Sequence, residues 1–486
     1  MTDTVATRTR RAARALHASL LRTPAALLVA GAGCMSLAAS SDIANTFDAP
    51  RRGGPWPALL LFLTLALAFA GFLLATHRAP LHILTRLPRA TRAARLFIYP
   101  LLLWALLTSY QTVGILARGT VTSLTTTHVT YGSDDLYYNQ FDAMLVLRGK
   151  NPYSGDWLRA ASAYFHTLAY TPLRRGRFAD PRHYPTRAEL DAVFTAYLAN
   201  PHANPPEVDP ATTHSYPAGA FLVNVPFVWA GIPSLAFEQI LLLLALLIAV
   251  IAISPPRWRV IVALLLFATA DGARAVTGAD FEIWPLALVA FAWITRDRRW
   301  VSALLLGGAC AIKQTAWIAA PFYLLWVWRA YGRSEAMRRG VVALGTFLVI
   351  NLPWIVMSPG AWLSSLLLPV SLPLLPDGSG VIGLSLTGIL PLAPSWVYAL
   401  LELAALAAAL LWYWRAWPRY PFAGLILPLV PLFFAWRSSE RYFELLPVVA
   451  VLAAVLSLTE LRHKHTPLPA TPPVPRDAGI ASTASP

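Results

Sequence analysis

The chain has 486 residues, 57% of them hydrophobic and 13% charged, where an ordinary soluble domain carries roughly 25% charged residues, so a soluble enzyme is excluded and an integral membrane protein is indicated. The net charge of +15 does not point to nucleic acid, because the cations lie in short runs between apolar stretches instead of on a folded basic face with readable motifs. Cys34 and Cys310 both fall in apolar stretches, which excludes a disulfide framework or a thiol metal centre.

Crossing the hydrocarbon core takes roughly 20 apolar residues. Stretches beginning near Pro24, Trp56, Leu96, Leu235, Val260, Phe281, Val301, Trp317, Val341, Trp396 and Phe422, with a last one from Tyr442 to Leu458, meet that requirement loosely. They predict an all-α polytopic membrane protein, a bundle of about 11–13 transmembrane helices with one large loop. The first stretch contains Gly31-Ala-Gly-Cys34 but lacks the Leu of a lipoprotein processing site, and reads as a retained helix.

Basic residues gather at Arg8 to Arg22, in the loop Arg78 to Arg95, at Arg296 to Arg299, Arg329 to Arg339 and Arg415 to Arg419, and in the tail with Arg462 and Lys464. Alternating spans put these on one side, which the positive-inside rule makes cytoplasmic. The chain then divides into a basic cytoplasmic N-terminus (1–23), three helices (24–118), an extracytoplasmic loop (119–215), the rest of the bundle (216–459) and a cytoplasmic tail (460–486), disordered from Thr466. The expected location is the cytoplasmic membrane, multi-pass, with both termini inside.

The loop is the soluble-like part, and a loop this long is usually functional. Asp135 to Leu147 predicts a surface helix ended by Gly149, with Phe141, Met144, Leu145 and Leu147 as apolar contacts. Arg187 to Leu198 predicts a second, with Leu190, Val193, Phe194 and Tyr197 on one face. The apolar run from Tyr216 to Ile232 is broken by Pro217 and Pro226, and a full crossing there would place Arg257 and Arg259 outside, so a re-entrant or surface segment is expected.

The charges left over, Asp271, Arg274, Asp280, Glu282, Lys313, Asp377, Arg437, Glu440, Arg441 and Glu444, all fall toward the loop side. Intramembrane ionisable groups are costly and line cavities or pair with one another, so their convergence predicts a polar cavity beneath the loop. Short-range pairing, such as Asp271 with Arg274, is the plainer reading for any one of them. Lys313 is different: it interrupts an apolar run and needs an anionic partner.

Asp134-Asp-Leu-Tyr-Tyr138 followed by Leu147-Arg-Gly-Lys-Asn-Pro-Tyr153 resembles the first outer loop of the GT-C superfamily of membrane glycosyltransferases, in particular glycosyltransferase family 87 and related mannosyltransferase-like proteins that use polyprenyl-phosphate sugars. Tyr216-Pro-Ala-Gly219 resembles that family's Tyr-Pro-Pro motif, with Ala218 in place of the second Pro, Lys313-Gln-Thr-Ala its Lys-Pro-Thr, and Ser439-Glu-Arg-Tyr442 its Arg-Tyr. The resemblance implies inverting transfer of a mannose- or arabinose-type sugar from a polyprenyl-phosphate donor to a glycan, glycolipid or protein acceptor.

It further implies Asp135 as general base with Asp134 as competitor, and Lys313, Arg441 and Arg274 as donor-phosphate ligands. Tyr137, Tyr138, Asn151, Tyr153, Tyr216, Asp280 and Glu282 are implied as sugar or acceptor contacts, although interfacial anchoring explains the tyrosines equally well. An N-cap role is the plainer reading of the Asp pair. No cofactor is implied beyond the donor. A divalent cation is compatible with adjacent carboxylates, but no His or Asn at ligand spacing supports one. A transporter or flippase of lipid-linked sugar, and after it a non-catalytic scaffold, are the competing classes; no pseudo-symmetric halves favour transport. The sequence does not decide the oligomeric state.

Overall fold

The computed structural model describes residues 25–47, 54–77, 96–166, 171–180, 185–200, 202, 204–210, 215–278 and 280–465. The basic N-terminus, the Arg78 to Arg95 loop and the tail from Thr466 lie outside them. Helices α1 (Ala25–Phe47) and α2 (Pro55–Ala75) form a hairpin, and α3 (Ile98–Thr125) carries the chain to the large loop. That loop holds α4 (Asp134–Leu147), α5 (Leu158–Phe165) and α6 (Arg187–Ala199). The short helices α7 (Gly219–Leu222) and α8 (Val225–Trp229) follow, then α9 (Ala236–Ile253), α10 (Arg259–Phe267) and α11 (Ala270–Thr277).

The second half contains α12 (Ile283–Ile294), α13 (Arg299–Cys310), α14 (Thr315–Tyr331), α15 (Arg333–Met357) and α16 (Pro359–Ser371). It closes with α17 (Val381–Leu386), α18 (Ser395–Ala416), α19 (Leu429–Leu432), α20 (Arg441–Glu444) and α21 (Leu446–His465), while the two-residue strands β1 (Asp377–Gly378) and β2 (Arg437–Ser438) pair in parallel. The protein is an all-α polytopic membrane protein.

Among the described residues, seven helical stretches are long and apolar enough to cross a bilayer, and an eighth if α10 and α11, bent by 56° at their junction, are taken as one. The higher sequence count includes α12 and α13, of 12 residues each, and α14, of 17. It also includes the stretch from Phe422, which the structure breaks into turns and the four-residue α19 because Pro421, Pro428 and Pro431 interrupt the helical ladder. The run after Tyr216 is likewise broken into α7 and α8, in keeping with the expected re-entrant or surface segment and not with a crossing.

Helix α21 is the axis of the bundle: Val448 to Leu456 are all buried, and α1, α2, α9 and α10 pack around it. The small residues of α1 permit close approach, and a Cβ on Gly33 would sit 2.7 Å from the Phe72 ring. Outward-facing leucines and valines such as Leu67, Leu107, Val349 and Val356 are exposed, the arrangement expected where lipid is the solvent.

Over one end of this bundle the loop forms a layer with its own apolar core, in which Tyr138, Phe141 and Leu145 of α4 meet Leu158 of α5 and Val193, Phe194 and Tyr197 of α6. Helix α6 starts in a capping box made by Thr186 and Glu189. Helix α3 runs six residues past the expected loop start at Gly119, and α5 has no sequence signal because eight residues give little periodicity.

Candidate active site at the bundle–loop boundary

Ser133 caps α4, its hydroxyl accepting a hydrogen bond from the Asp135 N–H at 3.3 Å, so both carboxylates stand in the helix's first turn without serving as the cap. The chain is held there by the Gly132 N–H, which donates to the Gly278 carbonyl at 2.7 Å. Below, α4 rests on α7 and α8. Gly219 at the start of α7 donates its N–H to the Ala311 carbonyl at 2.8 Å, and a Cβ there would lie 2.3 Å from that oxygen. A close backbone approach thus brings the re-entrant segment against the turn that carries Lys313.

Lys313, 5% exposed, sits between two carboxylates 178 and 31 residues away in sequence: Asp135 Oδ2 at 3.1 Å and Glu282 Oε1 at 2.6 Å. The second oxygen of Glu282 accepts from the Thr315 hydroxyl at 3.2 Å, and the Lys313 ammonium lies 4.7 Å from the Tyr216 ring centroid. Arg441 stands beside this trio, donating to the Gly132 carbonyl at 2.8 Å and facing Asp280 at 3.6 Å, with its side chain 40% exposed. Asp134 points the other way and accepts from the Thr171 hydroxyl at 2.6 Å.

The environments of the adjacent aspartates push them apart. Burial raises the Asp134 carboxyl, and the neighbouring Asp135 charge raises it further. Burial works in the same direction on Asp135, but Lys313, helped by Tyr216 and Arg441, outweighs it and holds that carboxyl below the usual range. Burial works against the Lys313 ammonium too, but Asp135 and Glu282 keep it charged and well above an ordinary lysine. Asp280 is pushed up to about 7 by burial, which Arg441 and Lys313 only partly offset, and neither of its oxygens accepts a hydrogen bond.

Of the expected site residues, the fold brings together Asp134, Asp135, Tyr216, Asp280, Glu282, Lys313 and Arg441. Arg274 is committed to Asp271 one turn away, the local pairing expected of them. Tyr137 accepts from the Tyr131 N–H and packs on Tyr131 and Phe165, while Tyr138 lies in the core of the outer layer. Asn151 donates to Ser358 and accepts from the Tyr153 N–H, and the Tyr153 hydroxyl donates to the Tyr216 carbonyl. Those three tyrosines and Asn151 pack the outer layer and pin it to the bundle, while Tyr216 lies over the Lys313 ammonium of the cluster.

Thr171, Thr315 and the Gly132 carbonyl carry no signal in the sequence and enter only through the fold. Arg437, expected among the cavity charges, lies close enough to Asp134 to lower its carboxyl. A narrow groove of about 60 Å³ leads away between α12, α14, α19 and α21. Glu282, Thr315, Arg441 and Tyr442 form its polar end, while Pro285, Val289, Leu425, Leu429, Leu432 and Val449 give it apolar walls. Among the described residues no three His, Cys, Asp or Glu side chains gather as a metal-ligand set. No protein-family model, no curated protein and no solved structure matches this chain.

Proposed function

We propose that this protein is a membrane glycosyltransferase that moves a sugar from a polyprenyl-phosphate donor to a hydroxyl of a glycan, glycolipid or protein acceptor at the face covered by the large loop. The basic runs Arg296 to Arg299, Arg329 to Arg339 and Arg415 to Arg419 on the opposite connections support an extracytoplasmic position for that face. One observation carries the reading: Lys313 joins a half-buried carboxylate, Asp135, to Glu282, and Glu282 and the half-free guanidinium of Arg441 form the polar end of an apolar groove. A lipid-borne phosphate needs the cation and the groove, and an incoming hydroxyl needs the carboxylate.

In the proposed step the acceptor oxygen attacks the anomeric carbon, the bond from that carbon to the phosphate oxygen breaks, and the acceptor proton passes to Asp135. The hydroxyl becomes strongly acidic only as its new bond forms, so a carboxylate of lowered pKa suffices as base. The departing phosphate leaves as an anion and requires no acid; Arg441 suits it because a guanidinium binds phosphate through two parallel N–H groups. Lys313 is already neutralised by two carboxylates, so its part is to hold Asp135 ionised and in place. Phosphate arriving beside it would compete with Glu282 for the ammonium.

The test is transfer of radiolabelled sugar from a panel of polyprenyl-phosphate sugars by protein in lipid. Asp135→Asn is expected to cut turnover by about a thousandfold with donor binding kept, general-base removal costing about 10² to 10⁴, and Asp134→Asn by far less. Equal activity of Asp135→Asn and the parent chain would overturn the assignment of the base. Binding without turnover, accompanied by movement of the lipid between leaflets, would overturn the enzyme reading in favour of a flippase.

A further inference from the structure

At the bundle end away from the carboxylate–lysine cluster, a second groove of about 720 Å³ lies between the start of α13 and the first three turns of α15. Its floor is built from two ridges at four-residue spacing, Arg333-Met337-Val341 and Ser334-Arg338-Val342, with Trp300 of α13 as the facing wall. The ridges run from charge to hydrocarbon. Eight residues at 1.5 Å separate Arg333 from Val341, about 12 Å, close to the depth of half a bilayer's hydrocarbon core of about 15 Å.

The two arginines are exposed and form no ion pair or hydrogen bond among the described residues. The nearby acids do not answer them. Asp297 accepts from the Tyr331 hydroxyl at 2.7 Å, and Glu335 is engaged at 2.9 Å by Arg339, which points inward. Arg299 lies over the Trp300 ring at 5.1 Å and adds a further cation to the rim. The first turn of α15 has no side-chain cap, so its backbone N–H groups face the same rim. Unanswered positive charge above an apolar trough at the edge of a bilayer calls for a ligand with a negative head and a hydrocarbon tail.

We propose that this groove binds an anionic phospholipid, its phosphate between Arg333 and Arg338 and an acyl chain along Met337, Val341 and Trp300. The site is independent of the glycosyltransferase reading. Bidentate guanidinium contacts hold the phosphate, and the apolar ridge separates a lipid from a free anion.

Native mass spectrometry of the full chain, released from detergent after incubation with dioleoyl-phosphatidylglycerol or dioleoyl-phosphatidylcholine, tests this. Retention of the phosphatidylglycerol is expected to exceed that of the phosphatidylcholine at least threefold. The double variant Arg333→Gln/Arg338→Gln is expected to lose that preference, Arg333→Lys/Arg338→Lys to keep most of it, and Arg257→Gln/Arg259→Gln, on another basic connection, to keep all of it. Val341→Trp, which fills the apolar half and leaves both arginines, is expected to lower retention as well, and decides the matter should the glutamine variant not fold. Equal retention of the two lipids by the parent chain, or an unchanged preference in the glutamine and tryptophan variants, would overturn the proposal.

Discussion

Two buried polar clusters occupy opposite ends of the same helices, and they are built differently. At one end, Arg339 is 4% exposed and donates through Nε to Glu335 at 2.9 Å and through Nη1 to the Arg296 carbonyl at 2.6 Å, to Ser302 at 3.2 Å and to the Tyr323 hydroxyl at 3.0 Å. At the other end, Asp134, Asp135, Asp280 and Glu282 outnumber Lys313 and Arg441, Asp280 accepts no hydrogen bond, and the cluster opens into a groove. The Arg339 knot is closed and ties α13, α14 and α15 together. The Lys313 cluster keeps an unfilled bonding capacity, which is what a substrate-binding group must have before its substrate arrives.

The largest effects should come from removing the central cation of each. Lys313→Met leaves the buried Glu282 and the half-buried Asp135 without their partner, and Arg339→Met strands Glu335, Ser302 and Tyr323; each is expected to cost about 3–5 kcal/mol, read as a drop in thermal midpoint in detergent. The contrast lies in activity per folded molecule, which Lys313→Met should abolish and Arg339→Met should leave within twofold. Adding Glu282→Gln to Lys313→Met should recover part of the lost stability and none of the turnover. Equal activity losses in the two methionine variants would remove the distinction between knot and site.

Arg441→Gln should show the reverse balance. Its side chain is 40% exposed and its partner Asp280 stands 3.6 Å away, so the folded state should lose no more than about 1 kcal/mol. Sugar transfer should fall by about a hundredfold, the usual scale for one donor that meets developing charge, with the larger part in kcat. An Arg441→Lys variant that keeps full activity would argue against bidentate phosphate contact.

How much of this was legible in the sequence depended on whether a residue broke a local rule. Lys313 did, a lone cation in an apolar run, and its need for an anion could be stated; that the anions are Asp135 and Glu282 could not, because only the packing of α4, α12 and α14 makes them neighbours. The breaks after Tyr216 could be read from their prolines, and the same reading applied at Pro421, Pro428 and Pro431 would have removed the span expected from Phe422. Tyr137, Tyr138 and Tyr153 could not be told from stacking platforms, since an aromatic ring beside a polar motif fits a core as well as a site. Arg339 stood unremarked in a basic run next to Arg338, and Glu335 four residues earlier was the one sign that it points inward.

Asp280→Asn should sharpen the contrast from the other direction, by stabilising. A carboxyl whose pKa in the folded chain, about 7, lies above its ordinary 3.8 favours folding while protonated and opposes it once ionised. The penalty is absent below about pH 4, grows from there to pH 7 and is complete above it, so the asparagine variant should match the parent at pH 4 and exceed it at pH 8. The gain should be at most about 4 kcal/mol, the full displacement at 1.36 kcal/mol per unit, a figure from which the opposing pull of Arg441 is already subtracted. A pH-independent gain would show that the benefit comes from repacking and not from the charge.

The smallest effect concerns the cap that sets the aspartates. Ser133→Ala removes the hydroxyl that accepts from the Asp135 N–H and should cost about 1 kcal/mol of stability. If the cluster owes its function to where Asp135 Oδ2 stands relative to Lys313, loosening the first turn of α4 should also lower turnover by about tenfold without moving its pH profile, because a displaced base loses alignment and keeps its electrostatic partners. Ser133→Asp, which can cap equally well, separates position from charge: it should restore the stability but bring a third carboxylate beside Asp134 and Asp135, so the acid limb of the pH profile should move upward. A cap variant with native turnover would mean that Asp135 is held by Lys313 alone, and the ammonium would then be the positioning element as well as the electrostatic one.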